Sequence, residues 1–233
     1  MNTGEVYDFF RSLIDEDDET FLTKAQAVVM LSEAYREFRD LVVSIQPDVF
    51  TKQAFITLTN SDVYDLTAQD SVTNTRFLST SADSATSGSK LHRLVRIAAI
   101  DNTTSNQASF FLNPKNSVEL LCGDDYARQG NNIYFGYKYT DTFRMEFVPY
   151  HDVNFNAASD FIDNLDQFHP LIALMAAKYY EVRDNAENAS LEKRRLEKIR
   201  ELKTWLTRFW GGGVAQSTQR VIEAYLWLPA RPK

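Results

Sequence analysis

Apolar side chains recur along the first fifty residues with the period of a helix. Val6, Phe9, Phe10, Leu13 and Ile14 fall at three- and four-residue steps and predict a short helix over about 4–14. A second series, Ala27, Val28, Leu31, Ala34, Tyr35, Phe38, Leu41, Val42 and Ile45, draws the stripe of an amphipathic helix. Glu33, Arg36, Glu37, Arg39 and Asp40 occupy its other face. Thr23, with Gln26 three residues on, has the capping-box spacing, and Leu22 stands where it can fold onto Ala27. Pro47 predicts the end of this helix, because a proline pushes the residue before it, Gln46, out of the helical region.

From about 54 to 150 the period drops to two. Ala54–Thr59, Leu94–Ile100, Ser109–Leu112, Val118–Leu121, Ile133–Gly136 and Phe143–Val148 read as short strands. The clusters 113–116 and 129–132, rich in Asn, Pro and Gly, read as turns between them. Phe143, Met145 and Phe147 alternate with Arg144 and Glu146, which predicts a strand buried on one face only. Residues 67–90 are dominated by Ser, Thr, Asp, Asn and Ala, with Phe77 and Leu78 as the main apolar exceptions. Such a stretch buries too little to offset its ordering entropy and reads as a long mobile loop.

Helix returns after Pro149. Phe161–Leu165 suggests a single turn, and Phe168-His169-Pro170 opens a helix to about Arg183 with the proline in the first turn, where it is tolerated. Leu171, Leu174, Met175, Lys178 and Tyr179 share one face, while Ala173, Ala176 and Ala177 allow a neighbouring helix close. A last helix is predicted over about 189–210, with Leu191, Leu196, Ile199, Leu202, Leu206, Phe209 and Trp210 as its stripe. Gly211, Gly212 and Gly213 end it and supply a hinge. Beyond the hinge an apolar arm carries Val221, Ile222, Tyr225, Leu226, Trp227 and Leu228. Left exposed, that cluster is an aggregation liability, so it folds back on its own domain or docks into another subunit or protein. The expected class is α+β: a helical bundle from N- and C-terminal helices, an inserted antiparallel β unit and an extended C-terminal tail. The divisions fall at 1–50, 51–150, 151–210 and 211–233.

Composition narrows the function classes. Of the 233 residues 44% are hydrophobic and 13% aromatic, enough for a core. There are 25 basic and 32 acidic residues, net −7, which argues against a general nucleic-acid binder. No apolar run reaches the roughly 18 residues of a membrane helix, and no basic region followed by an apolar stretch marks a secretory signal. Cys122 is the sole cysteine, so neither an internal disulfide nor a cysteine-based metal site is expected. Its surroundings, Val118–Leu121, predict a small buried side chain.

Catalytic and metal patterns are equally sparse. His92, His151 and His169 have no zinc-site spacing. Asp15-Glu16-Asp17-Asp18-Glu19 lacks the glycine of a calcium loop and reads as a solvated turn. Asp160, Asp163 and Asp166 stand at three-residue steps, as carboxylates biased to a helix start would. A hydrolase built on Asp124 or Asp125 lacks a nucleophile, base and orienter. No enzyme activity, cofactor or metal is therefore expected. The last helix is basic along its predicted exposed side, with Lys193, Arg194, Arg195, Lys198, Arg200 and Lys203 interleaved with Glu192, Glu197 and Glu201. A solvated face, a contact with an acidic neighbouring subunit and a direct DNA contact are three readings of it. Lys193, Arg194, Lys198 and Lys203 are the candidate inter-subunit residues, and the acidic N-terminal quarter of a like chain is the candidate partner.

Three stretches carry a family resemblance: Ala25–Phe38, Tyr64-Asp65-Leu66, and Phe168–Tyr180 followed by the long charged helix. Together they resemble the head-to-tail adaptor (connector) proteins of tailed bacteriophages, the family typified by podovirus SU10. Thr67 stands where that family often has a proline, with Asp70 nearby. The resemblance implies a non-enzymatic virion component of the neck, assembled in the host cytoplasm as a dodecameric ring. Such a ring joins the portal protein to tail, nozzle or tail-tube proteins and lets the genome DNA pass without specific binding, with no membrane involved. It also implies a C-terminal arm, residues 221–228 here, that reaches the portal across the glycine hinge. The alternative is another neck or tail component, such as a tail completion protein.

Overall fold

Local signals set the helix ends. In the computed structural model the Thr23 hydroxyl accepts the Gln26 N–H at 3.4 Å, and the Gln26 side chain accepts the Thr23 N–H at 3.2 Å. Asn2 and Glu5 form the same reciprocal box at the start of the chain's first helix, at 2.9 Å each way. These caps start α1 (Thr3–Leu13) and α2 (Lys24–Ile45). Gln46 closes α2 in an extended conformation just before Pro47, as the proline requires. Residues 1–15, 21–68, 77–78, 90–101, 107–150, 153–184 and 188–209 are described. They fall into two compact units, one from Met1–Val49 with Asp152–Lys233 and one from Phe50–His151.

The first unit is built on α3 (His169–Asp184), with α4 (Ala189–Phe209) following it. Leu171 to Ala177 are all buried, so α3 has no solvent face through its first two turns. The three alanines there let α1, α2 and α4 all pack against it. Two pairs fix the direction of α4. Phe168, at the start of α3, stacks edge-on with Trp205 at 5.5 Å, and Lys178, near its end, meets Glu192 at 3.5 Å. The two helices are therefore antiparallel. Leu202 and Leu206 are fully buried, whereas Leu196 in the predicted stripe is 43% exposed. No helical turn forms at 161–165; Ile162 and Leu165 are buried from an irregular segment, and the turn that precedes α3 is a 3-10 turn at Asp166–Phe168.

The second unit is a six-stranded sheet organised by one long strand. The strands are β1 (Lys52–Asp65), β2 (Leu91–Asp101), β3 (Gln107–Phe111), β4 (Asn113–Pro114), β5 (Asp125–Gln129) and β6 (Asn132–Pro149). β1 runs antiparallel along β6 from Lys52 opposite Phe147 to Asp65 opposite Asn132. The C-terminal part of β6 pairs with β2, and its N-terminal part pairs with β5. β3 extends the β2 end and β4 the β5 end. The β1–β6 register slips near Asn60, which sits at φ 49, a conformation asparagine tolerates. Ile56, Ile97, Ile133, Phe143 and Met145 form the centre of the core.

Several sequence expectations change here. The two apolar runs at 133–136 and 143–148 are one strand, β6. Val118–Leu121 is not a strand: Ser117 caps a 3-10 turn at Val118–Leu120, and Leu120 is 65% exposed. Asp125–Gln129, which has no strand pattern, pairs with β6 through a two-residue turn with Gly130 at φ 59. Asn113–Pro114, read as a turn, forms a short parallel pair with β5. β6 is not buried on one face only. Glu146 is 2% exposed, held between the Arg96 and Arg144 guanidinium groups, the latter at 3.0 Å. Phe77 is pinned rather than loose. Its N–H donates to Leu66 at 3.2 Å, its carbonyl accepts from Leu91 at 2.7 Å, and its ring lies 5.3 Å from that of Phe147. Apart from Ala68 and its neighbour Thr67, Phe77, Leu78 and Lys90, the predicted mobile loop lies outside the described residues.

Candidate functional site

The buried polar cluster in the helical unit has the look of chemistry and the surroundings of a structural tie. His169 has no exposed surface. Its Nε2 lies 2.8 Å from Asp163 Oδ1, and its Nδ1 lies 3.0 Å from the Met1 carbonyl oxygen. The same Asp163 oxygen accepts the Leu165 N–H at 2.8 Å, an Asx-type turn that orders the irregular segment. Burial pushes the Tyr35 hydroxyl well above its ordinary pKa, the Asp163 charge adds to this, and Arg39 opposes it. Polar groups from α2 and from the approach to α3 thus share one interior. With His169 sealed from solvent, its ring meets no substrate. The three carboxylates 160, 163 and 166 do not share a helix face: Asp163 is buried here and Asp166 is exposed. Among the described residues no group of His, Cys, Asp or Glu could hold a metal ion.

The second unit places Cys122 at the surface, not in the core. The reason is the turn at 118–120, which replaces the expected strand and leaves the thiol outside. The Cys122 N–H donates to Asp125 Oδ2 at 3.2 Å, and its Sγ lies 3.5 Å from the same oxygen. Asp125 is 4% exposed, and burial opposes its ionisation. The two Cys122 contacts and the Lys115 ammonium at 3.6 Å outweigh burial and hold the carboxyl below its usual range. Asp124 instead accepts from the Tyr139 hydroxyl at 3.2 Å. Among the described residues neither aspartate has a histidine in contact with it, and the thiol beside Asp125 donates to a carboxylate that Lys115 also holds. His92 packs edge-on against Tyr150 at 4.9 Å, and His151 lies outside the described residues.

The surface of α4 is the feature of the helical unit most open to a partner. Lys193, Lys198 and Lys203 are five residues apart, and each such step turns the helix by roughly 140°. They therefore point in different directions rather than forming one face. Lys193 and Arg194 are exposed, while Lys198 and Lys203 are half-buried. Lys198 pairs with Glu201, and Glu192 pairs with Arg195 at 2.7 Å and with Lys178. Arg195 is thus taken up locally. Arg200, seven residues beyond Lys193, lies on the same outer face and is also exposed.

Near the end of α4 this surface becomes concave. A groove of about 540 Å³ is lined by Phe168, Lys198, Arg200, Thr204, Trp205 and Arg208, with Glu201 beside them. Its aromatic part is the Phe168–Trp205 pair and its rim is basic. Among the described residues Arg200 and Arg208 have no ion-pair partner. The sequence marked the cations but not the groove, because Phe168 and Trp205 meet only when α4 folds back along α3. The hinge Gly211, Gly212 and Gly213 and the arm residues Val221, Ile222, Tyr225, Leu226, Trp227 and Leu228 lie outside the described residues. So do Thr20 and residues 16–19 of the acidic run, while the run's first member, Asp15, follows the Ile14 cap of α1 at φ 55. No described helix is long and apolar enough to cross a membrane.

No family model matches the chain, and no curated protein matches it.

Proposed function

We propose that the chain is a structural head-to-tail adaptor of a tailed phage, one subunit of a ring that joins the portal to tail proteins. The observation that carries this reading is the division of labour along the chain. Both ends of the sequence return to one helical unit, read here as a bundle, and the β unit is a single insertion between them. That layout offers a ring-forming body, a separate β surface and an arm beyond Gly213, which are the three contacts an adaptor needs. The arm supplies the portal contact through Tyr225, Leu226, Trp227 and Leu228. The basic α4 surface, with Lys193, Arg194, Lys198 and Lys203, supplies a subunit contact. The net charge of −7 suits a channel that must release DNA rather than hold it.

The test is removal of Val214–Lys233. The truncated chain folds, by circular dichroism, and no longer co-purifies with the portal of the same phage. Trp227→Ala in the full chain weakens portal binding by about 2 kcal/mol or more, roughly thirtyfold. Normal co-purification of the truncated chain contradicts the reading of the arm.

A further inference from the structure

The helical unit has two chemically opposite ends. At one end, where α3 starts, lies the groove with its Phe168–Trp205 pair and the exposed Arg200 and Arg208. At the other end, where α3 finishes, Arg183 donates to the Phe21 carbonyl at 2.6 Å and to the Gln26 side chain at 3.3 Å. This contact fixes the approach to α2 beside the end of α3. Phe21 is 71% exposed there, and Val182 is 69% exposed. Phe21 directly follows the segment Asp15-Glu16-Asp17-Asp18-Glu19-Thr20. One end therefore shows exposed apolar side chains and, in sequence, adjoins five carboxylates; the other pairs an aromatic floor with cations.

The two ends cannot meet within one chain. α3 has 16 residues, about 24 Å of helix, and separates them. Two complementary patches at opposite ends of a rigid body define a heterologous contact, which closes into a ring or runs on as a filament. We propose that the groove on α4 receives the acidic 15–19 segment of a second copy of this chain, with that copy's Phe21 against Trp205. Arg200 and Arg208 take its carboxylates. Lys198 is half-committed to Glu201 and is released only in part. This rests on the reading of α4 as a subunit contact and is independent of the arm and of the portal.

The experiment is a charge swap in the full chain, read by sedimentation velocity without any portal. One variant carries Arg200→Glu and Arg208→Glu; the other carries Glu16→Lys, Asp17→Lys, Asp18→Lys and Glu19→Lys, which turns the segment's charge from −5 to +3. Arg200 and Arg208 are exposed, and circular dichroism checks the fold of each variant. The unaltered chain self-associates, and association falls as salt rises from about 0.05 to about 0.5 M, where charges are screened over a few ångströms. Each variant alone loses self-association by about tenfold or more, because like charges then face each other. The equimolar mixture regains it, since each acidic surface finds a basic one. A chain that stays monomeric at low salt, variants that associate normally, or a mixture that stays dissociated would each overturn the assignment. Restoration in the mixture together with no portal binding would keep this contact and remove the adaptor reading.

Discussion

Gly136 is the position in β6 with least room to change. A Cβ built there would lie 2.3 Å from the Gly123 carbonyl oxygen and 2.8 Å from the Cys122 carbonyl carbon, both backbone atoms that cannot swing away. Gly136→Ala should therefore destabilise the β unit by about 1–3 kcal/mol, as other overpacked sites do. Chemical denaturation of the purified variant checks this, and a wild-type midpoint would show that the 122–123 turn moves freely. Two titrating groups in the same region set opposite limits on stability. Asp125 has its folded pKa lowered, so it stabilises above the ordinary carboxylate value of about 4 and loses that contribution as pH falls below it. Burial pushes the Tyr126 hydroxyl up to about 12. Its neutral form is favoured in the fold, so stability is full below the ordinary value of about 10 and falls as pH rises from there toward about 12. Thermal midpoints measured across pH should fall on both sides of this window. Tyrosinate absorbance should show a hydroxyl titrating late. A midpoint that is flat from pH 8 through 12 would contradict the burial argument.

Elements with local signals were readable from the sequence, and elements made by distant partners were not. The α2 start is written in four residues, Leu22, Thr23, Gln26 and Ala27, and the structure places both capping hydrogen bonds there. Thr23→Ala should cost about 1 kcal/mol, detected as a lower unfolding midpoint with the fold retained. β5 was not readable, because Asp125 and Arg128 break the apolar alternation. Its Tyr126 and Ala127 are buried only because β6 lies beside them. The apolar run at 118–121 misled in the opposite direction: Ser117 caps a tight turn that leaves Leu120 exposed and Val118 and Leu121 half-buried. β6 was split in sequence by Tyr137, Lys138 and Thr140, whose polarity is tolerated because that stretch pairs through its backbone with β1. Glu146 reads as a solvent-facing residue, and its burial is accounted for by Arg144 together with Arg96, fifty residues away.

At the scale of the whole molecule, the chain spends its two ends on one unit and its middle on another. The α+β class was legible, since the hydrophobic period changes from helical to alternating and back. The surface on α4 was legible as charge but not as shape. Spacing along the sequence grouped Lys193, Arg194, Lys198 and Lys203, whereas helical phase separates Lys193, Lys198 and Lys203, and the groove near the end of α4 is lined by Lys198, Arg200 and Arg208 with Trp205. His169 was read as a helix-start residue, and its role as a buried tie depends on Asp163 and on the far end of the sequence. His169→Ala should cost about 3 kcal/mol or more, because it strands the buried Asp163 carboxylate. A largely unaltered unfolding midpoint would mean that water or a neighbouring group replaces the imidazole.

The adaptor reading meets its most direct test in mass photometry of this chain co-expressed with the portal protein of the same phage. The account predicts a discrete complex heavier than the portal ring by a whole ring of these chains. The portal ring at its own mass, with this chain folded and unattached beside it, would contradict it.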